Sequence, residues 1–537
     1  MSSPGKPYAD PVRVAALLAA FAPCIAARGL VAPSACAASS GAAPALRWIA
    51  TEHVGRLTGT RTNPLAPLGL SGTDLGVSFA ASGKLVFLFG DSWTTDRRDW
   101  DADSVAFAKL APLPRTGVPA LEWATRDDGR FLPLAPKGIT LGGMNVPVEG
   151  FAVGDRTYVF FDGGWDKQAG RHTHSLLAHT RKHSFSDLEL DHSVASEKFL
   201  NVSVVQDGAD LWIFGSGAYR KSAIYLARVP VRDVADRAAW RYFPAFGPDE
   251  VSAQPLVPAD CVGELSVRRD PRSSTYFMAY NCGDPRGVVL RSARAPLGSW
   301  SAPVVIFEPA RDRGYGYFLH AANDATGTDD GLSERGREGT WGGEYGPYLV
   351  PSWFETPAPG VTALVYTLST WNPYEVHLVR SWVTEAGTEW TPPARVPVAN
   401  TSVRSLVNAG FEGGGIGGWT STGDVFTTAQ LDTGQWELTT YVKPAGDATT
   451  GVLAQEFTVP ANAERLECTL RGGTESIRLV RDGEVVRESR GPRRNDVWRK
   501  VSWRIDEFRG ESVRFEIVDA SKDPWGFVTV TGIAIVP

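Results

Sequence analysis

Basic residues in excess, long apolar runs and extended helical periods are all missing from this chain of 537 residues. Lys and Arg number 54 against 60 Asp and Glu, a net charge of -6. Nothing resembles the basic stripe that a nucleic-acid partner requires, so that class is excluded. The one apolar run of note, Val14 to Ala27, is too short for a membrane helix and is broken by Pro23. Long helix-like periods are few, whereas 18 Trp, 56 Gly and 37 Pro accompany many short strand-like runs. That texture predicts an all-β protein. With 43% hydrophobic and 21% charged residues the composition is that of a soluble globular chain. Its length calls for two or three domains.

Residues 1–38 read as a secretory signal peptide. Lys6 and Arg13 precede the apolar run, and small residues follow through Ala35-Cys36-Ala37-Ala38. Lipidation of Cys36 is not expected, because Pro33-Ser34-Ala35 before it is a poor lipoprotein match. A secreted location agrees with the cysteines. Cys24 and Cys36 belong to the leader, and Cys261 opens one predicted strand while Cys282 closes the next. A hairpin brings these two together, and an oxidising compartment lets them form a disulfide. Cys468 is expected to be a buried free thiol.

The stretch SGTDLGVSFAASGKLVFLFGDSW, Ser71 to Trp93, predicts a hairpin: Leu75 to Phe79 and Lys84 to Phe89, joined through Ala80 to Gly83. Asp74 precedes the first strand and Asp91 follows the second, so both carboxylates emerge on one rim. Two acids on one rim are the minimum equipment for glycoside hydrolysis. The alternative is that each caps a turn.

The strand LVFLFGD recurs in kind as TYVFFDG, LWIFGSG, TYFMAYNC and ALVYTLST. Each is followed by a third strand and then an outer Trp or Leu: Val105 with Trp123, Leu177 with Leu188, Leu226 with Trp240, Leu290 with Trp300, Leu378 with Trp390. Radial repetition of four-stranded units is a β-propeller, here of five blades over 46–398, six being the other count. Unequal unit lengths and the insert Asn323 to Gly343 exclude a regular repeat array. GELSV of the fourth unit aligns with TDLGV of the first, which superposes Glu264 on Asp74 at the mouth of the innermost strand. Glu149, in VPVEGF, comes from the same strand of the second unit. Acids converging on a funnel repel one another and lose hydration, which raises at least one pKa. After a linker at 399–405, alternating stretches over 406–537 predict a β-sandwich of the jelly-roll kind.

The motifs GTDLGVSF, FGDSW, CVGELSVRRD, YGPYLVPSW and YTLSTWNPYEVHLVRS resemble a bacterial family known as domain of unknown function 4185. Part of it is glycoside hydrolase family 183, the endo-D-arabinanases. The resemblance spans Gly59 to Arg380. It implies a five-bladed propeller that cuts internal α-D-arabinofuranosyl linkages in mycobacterial-type arabinan, with Asp74 and Asp91 as the paired aspartates. The C-terminal domain resembles carbohydrate-binding jelly rolls, through NAGFEGG at its start and DPWGFVTVTGIAIV at its end; it is either a sugar binder or a packed spacer.

Asp74 is taken as base or nucleophile, Asp91 as acid, and Glu264 as a third acid that tunes the pair or donates the proton. Trp93, Trp371 and Tyr345 are candidate walls for sugar rings, with Glu149, His320 and Asn372 as further substrate contacts. Tyr348, Trp353 and Tyr374 are assigned to blade packing. His172, His174, His179 and His183 lack an accompanying Cys or HExxH pattern, so no metal site is expected. No cofactor is required; structural calcium on the axis or in the sandwich is open. The expected partner is a polysaccharide and the expected state a monomer. The rival readings are a propeller glycosidase for another furanoside polymer and a non-catalytic glycan-binding propeller.

Overall fold

The computed structural model describes residues 43, 45–96, 98–99, 101–114, 117–181, 184–195, 197–283, 286–321, 327–393 and 404–537. The leader, most of the linker, His183 and Asn323 lie outside the described residues.

Alternating apolar residues between Gly- and Asp-containing turns fold 46–385 into five antiparallel sheets, laid down in chain order. The first comprises Leu70–Ala81, Lys84–Thr94, Ala102–Lys109 and Glu122–Trp123. The second comprises Val146–Val153, Arg156–Asp166, Arg171–Arg181 and Glu189–Ala195. The third and fourth begin with Asn201–Asp207 and Leu265–Arg269, and the fifth with Glu344–Leu349. The five first strands touch in succession and the last touches the first, closing a ring.

Five apolar layers fill the gaps between neighbouring sheets. Val77 and Phe79 meet Phe161 and Leu176, and Phe160 and Leu177 meet Val202 and Ile213. Phe214 and Leu226 meet Val267 and Met278, and Phe277 and Leu290 meet Leu364 and Val379. Val365 and Leu378 meet Phe87 and Phe89, which returns the packing to the first sheet. The architecture is all-β and propeller-like.

Two expectations are corrected here. The outer strand of the fifth sheet is Leu46–Arg56, paired antiparallel with Glu375–Glu385, so the start of the described fold closes the ring. Trp390, expected at that position, lies beyond the last strand with its ring 6.3 Å from Trp382. Glu149, expected in the funnel, is buried on the axis instead. Its carboxylate accepts from Arg268 Nη1 and Nη2 at 2.6 and 2.8 Å, from Ser203 Oγ at 2.8 Å and from the Val204 amide at 2.9 Å. Arg268 also donates to the Ser78 carbonyl, so four first strands meet in one satisfied ion pair.

Cys261 and Cys282 are joined, with Cα atoms 5.1 Å apart, and Cys468 is free and buried. Beyond the linker, two five-stranded antiparallel sheets face each other across a core that includes Trp419, Leu438, Trp503 and Phe515. Glu484–Arg490 is an edge strand of one sheet and Arg494–Arg504 an edge strand of the other. Arg56 with Glu484, and Arg313 and Tyr317 with Asp506, tie this sandwich to the ring.

Candidate active site

The first hairpin turns at Ser82 and Gly83, both with positive φ (47° and 73°), the backbone that a tight two-residue hairpin needs. Pairing is regular from Val77 opposite Leu88 to Ala81 opposite Lys84, and shifts nearer the mouth, between Gly72 and Asp74 and between Leu75 and Val77. Leu75 and Asp91 take left-handed backbone there, at φ 63° and 34°. A bulge re-aims the side chains that follow it. Here the irregular end directs Asp74 and Asp91 into the same cavity. Asp74 lies opposite Gly90, where a Cβ would stand 2.6 Å from Val146 Cγ1 and 3.0 Å from Asp74 Oδ1. The glycine of FGDSW is therefore required by close approach.

The cavity measures about 430 Å3 and opens at the end of the ring where Asp74, Asp91, Asp162, Glu264 and Glu344 gather. That is room for a sugar-sized ligand. Tyr345, on the fifth sheet, donates its hydroxyl to Asp74 Oδ2 at 2.9 Å. Tyr374 donates to the Asp91 carbonyl at 3.0 Å. Tyr219 donates to the Glu264 carboxylate at 3.1 Å, and Arg286 holds Glu344 at 3.0 Å. His172 joins Asp162 to the far wall, its Nδ1 3.2 Å from Asp162 Oδ2 and its Nε2 2.6 Å from the Met144 carbonyl. Trp165, Trp341 and Trp371 supply apolar faces around the mouth, the last two about two-fifths exposed (41% and 42%).

Burial raises every acid in this group. It pushes Asp74 up to about 7, against the Tyr374 and Tyr345 hydroxyls that favour the ionised form, with Glu264 and Asp162 adding repulsion. Burial and then the Asp74 charge lift Asp91 well above the ordinary range. Asp162 reaches about 6 through burial, held back by His172. Burial raises Glu264 as well, opposed chiefly by Arg220. Asp103, 3% exposed, is driven well up by burial and then by Asp91.

Of the expected residues, Asp74, Asp91, Glu264, Tyr345 and Trp371 line one cavity. Trp93 stands behind it, stacked on Tyr374 at 4.6 Å and edge-on to Trp371 at 6.0 Å. His320 and Asn372 do not face it. His320 spends both ring nitrogens on Asp330 and the Glu338 carbonyl, and Asn372 donates to the carbonyls of Arg337 and Thr340. The histidines part company: His172 meets Asp162, His174 meets Thr173, and His179 meets Asp191. Asp162, His172, Tyr219 and Trp341 were not anticipated in the cavity. The signal for Asp162 was present, since it ends TYVFFD as Asp91 ends LVFLFGD.

The family model described as domain of unknown function (DUF4185) matches residues 61–380. The chain belongs to this family. The DUF4185 region holds all of the cavity acids, from Asp74 to Glu344. The "Notoamide biosynthesis cluster protein J'" of Aspergillus versicolor is similar over 285 residues at 26% identity, covering 47% of this chain and 77% of that protein. Among solved structures, the exo-beta-1,3-galactanase of Phanerochaete chrysosporium, in a form holding beta-1,3-galactotriose, is 12% identical with a TM-score of 0.42, covering 90% of this chain and 100% of that one. The alpha-L-arabinofuranosidase PaAbf62A of Podospora anserina is 11% identical with a TM-score of 0.36, covering 63% and 97%.

Proposed function

We propose that this chain is a secreted glycoside hydrolase, a five-bladed β-propeller with a C-terminal jelly roll, that cleaves internal α-D-arabinofuranosyl linkages of arabinan. The observation that carries it is the pair Asp74 and Asp91, directed by a bulged hairpin into one cavity and both raised out of the ordinary carboxylate range. Burial and then the Asp74 charge favour the protonated form of Asp91, which hands its proton to the glycosidic oxygen as the bond to the leaving sugar breaks. Asp74 ionises at about 7 and serves as base toward water or as nucleophile toward the anomeric carbon. The Tyr345 hydroxyl orients its carboxylate. Burial keeps the Asp74 pKa up, and Glu264 and Asp162 add repulsion. Trp165, Trp341 and Trp371 offer ring faces for sugars on either side of the cut.

The arabinan assignment draws on the motif resemblance, and endo action on the aromatic residues flanking an open mouth. Export draws on the leader pattern together with the Cys261–Cys282 bridge. Incubation with mycobacterial-type arabinogalactan tests the reading: a ladder of oligosaccharides supports it, and release of single sugars replaces endo with exo action. Binding of the polymer without cleavage by the wild-type protein refutes the hydrolase and leaves a glycan-binding propeller.

A further inference from the structure

The insert between the fourth and fifth sheets touches both halves of the molecule. At one end, Asp329 lies alongside Arg494–Arg504: its amide donates to the Lys500 carbonyl and its carbonyl accepts from the Ser502 amide, both at 2.9 Å. Its carboxylate stands 3.5 Å from Arg499 and accepts from the Gly331 amide at 2.8 Å. Two residues on, the Gly331 carbonyl accepts from the Glu488 amide, on the edge strand of the opposite sheet, at 2.9 Å. Gly331 has φ +73°, and a Cβ there would sit 2.4 Å from Trp503 Nε1. This insert thus occupies the open edges of both sandwich sheets, positions that folded proteins cover or charge.

At the other end the same segment holds the cavity. Glu334 accepts from the Tyr374 amide at 2.6 Å, and its own amide donates to Asn372 Oδ1 at 2.9 Å. Arg337 donates to the Trp371 carbonyl and lies 4.3 Å above the Trp371 ring. Trp341 completes the wall, with Arg286 stacked 4.6 Å from its ring.

We propose that the C-terminal sandwich sets the shape of the cavity through segment 327–343, with Asp329 and Gly331 as the anchor and Glu334, Arg337 and Trp341 as the working end. The sandwich is then part of the catalytic unit, whether or not it binds sugar. Asp329 and Gly331 are positioning residues. They act through Tyr374, whose hydroxyl reaches the Asp91 carbonyl, and through the two rim tryptophans.

The kinetic side of this inference rests on the hydrolase reading; the mechanical side does not. Full-length Asp329→Ala and Gly331→Val are compared with Asp506→Ala, which removes the Asp506 bonds to Arg313 and Tyr317 between the two halves without touching the segment. Hydrogen exchange of the 333–343 amides should accelerate about tenfold or more in the first two and stay at the wild-type rate in the third. With arabinan, kcat should fall and KM rise together in the first two, as misplaced walls cost up to ~10²-fold. Unchanged exchange in Asp329→Ala and Gly331→Val overturns the proposal, as does equal acceleration in Asp506→Ala. A wild-type protein that cleaves no arabinan refutes the hydrolase, while the exchange rates still decide the coupling.

Discussion

Glu149 and Asp74 stand on neighbouring first strands and are almost equally hidden, at 1% and 5% exposure, yet the ring treats them in opposite ways. Glu149 has its charge matched by a two-pronged Arg268 and further hydrogen bonds from Ser203 and Val204. Asp74 receives hydroxyls rather than a cation, and is surrounded by other acids. A buried carboxylate with a guanidinium partner is a structural tie; one left among acids beside a cavity is held ready to exchange a proton.

The largest expected effect comes from breaking the second arrangement. Asp74→Asn and Asp91→Asn should each lower kcat on arabinan about 10²–10⁴-fold while polymer binding persists. Neither should lower the melting temperature, because each removes a desolvated acid rather than an ion pair. Glu149→Ala is the converse. It strands Arg268 in the interior and should cost about 3–5 kcal/mol of unfolding free energy, read from denaturant melts. The surviving folded molecules should keep their turnover.

The pH profile sharpens the contrast. In the proposed mechanism Asp74 acts ionised, so kcat/KM should rise through about 7, and the falling limb belongs to Asp91, which burial and then the Asp74 charge hold well above the ordinary carboxylate range. In Asp91→Asn the falling limb should vanish from the residual activity. A falling limb that survives would move the acid role elsewhere, with Glu264 the first candidate. Smaller still is the aromatic wall: Trp341→Ala should raise KM about 2–10-fold, the worth of one ring stacked on a sugar, with kcat nearly unchanged.

How far the sequence announced this site follows from the range of the interactions involved. Asp74 and Asp91 share one hairpin, so local alternation and a turn signal were enough to bring them together. Glu264 came from aligning strands, which needs only repetition. Glu149 was misplaced because its strand shifts register between Pro147 and Glu149, and a one-residue slip changes the face. The closing strand Leu46–Arg56 was hidden by distance: it pairs with Glu375–Glu385, and no local pattern encodes which strand fills an open edge. Trp341 lies on an insert whose described residues, 327–343, form no named strand, and whose place is set by the sandwich and not by its own periodicity.

Asp519, in the sandwich, offers the last test of the comparison. It is 2% exposed, and burial raises it to about 7 against the Thr440 hydroxyl, with Glu475 and Asp447 adding repulsion. Its pKa thus matches that of Asp74, but it lies outside the cavity that Asp74 lines. A raised pKa alone does not single out a candidate acid; a shared cavity is needed beside it. The folded state keeps this proton up to about 7, whereas the unfolded chain releases it near 3.8. Folded protein binds more protons in that window, so the Asp519 contribution to stability is lost as pH rises through it. Asp519→Asn should therefore melt like wild type at pH 4, gain over it steadily to about pH 7, and hold that gain above. Arabinan turnover should not change. A melting difference that is constant from pH 4 to 8 would show that Asp519 titrates in the folded protein as it does in the unfolded chain, and that buried acids in this fold need not share the behaviour of Asp74.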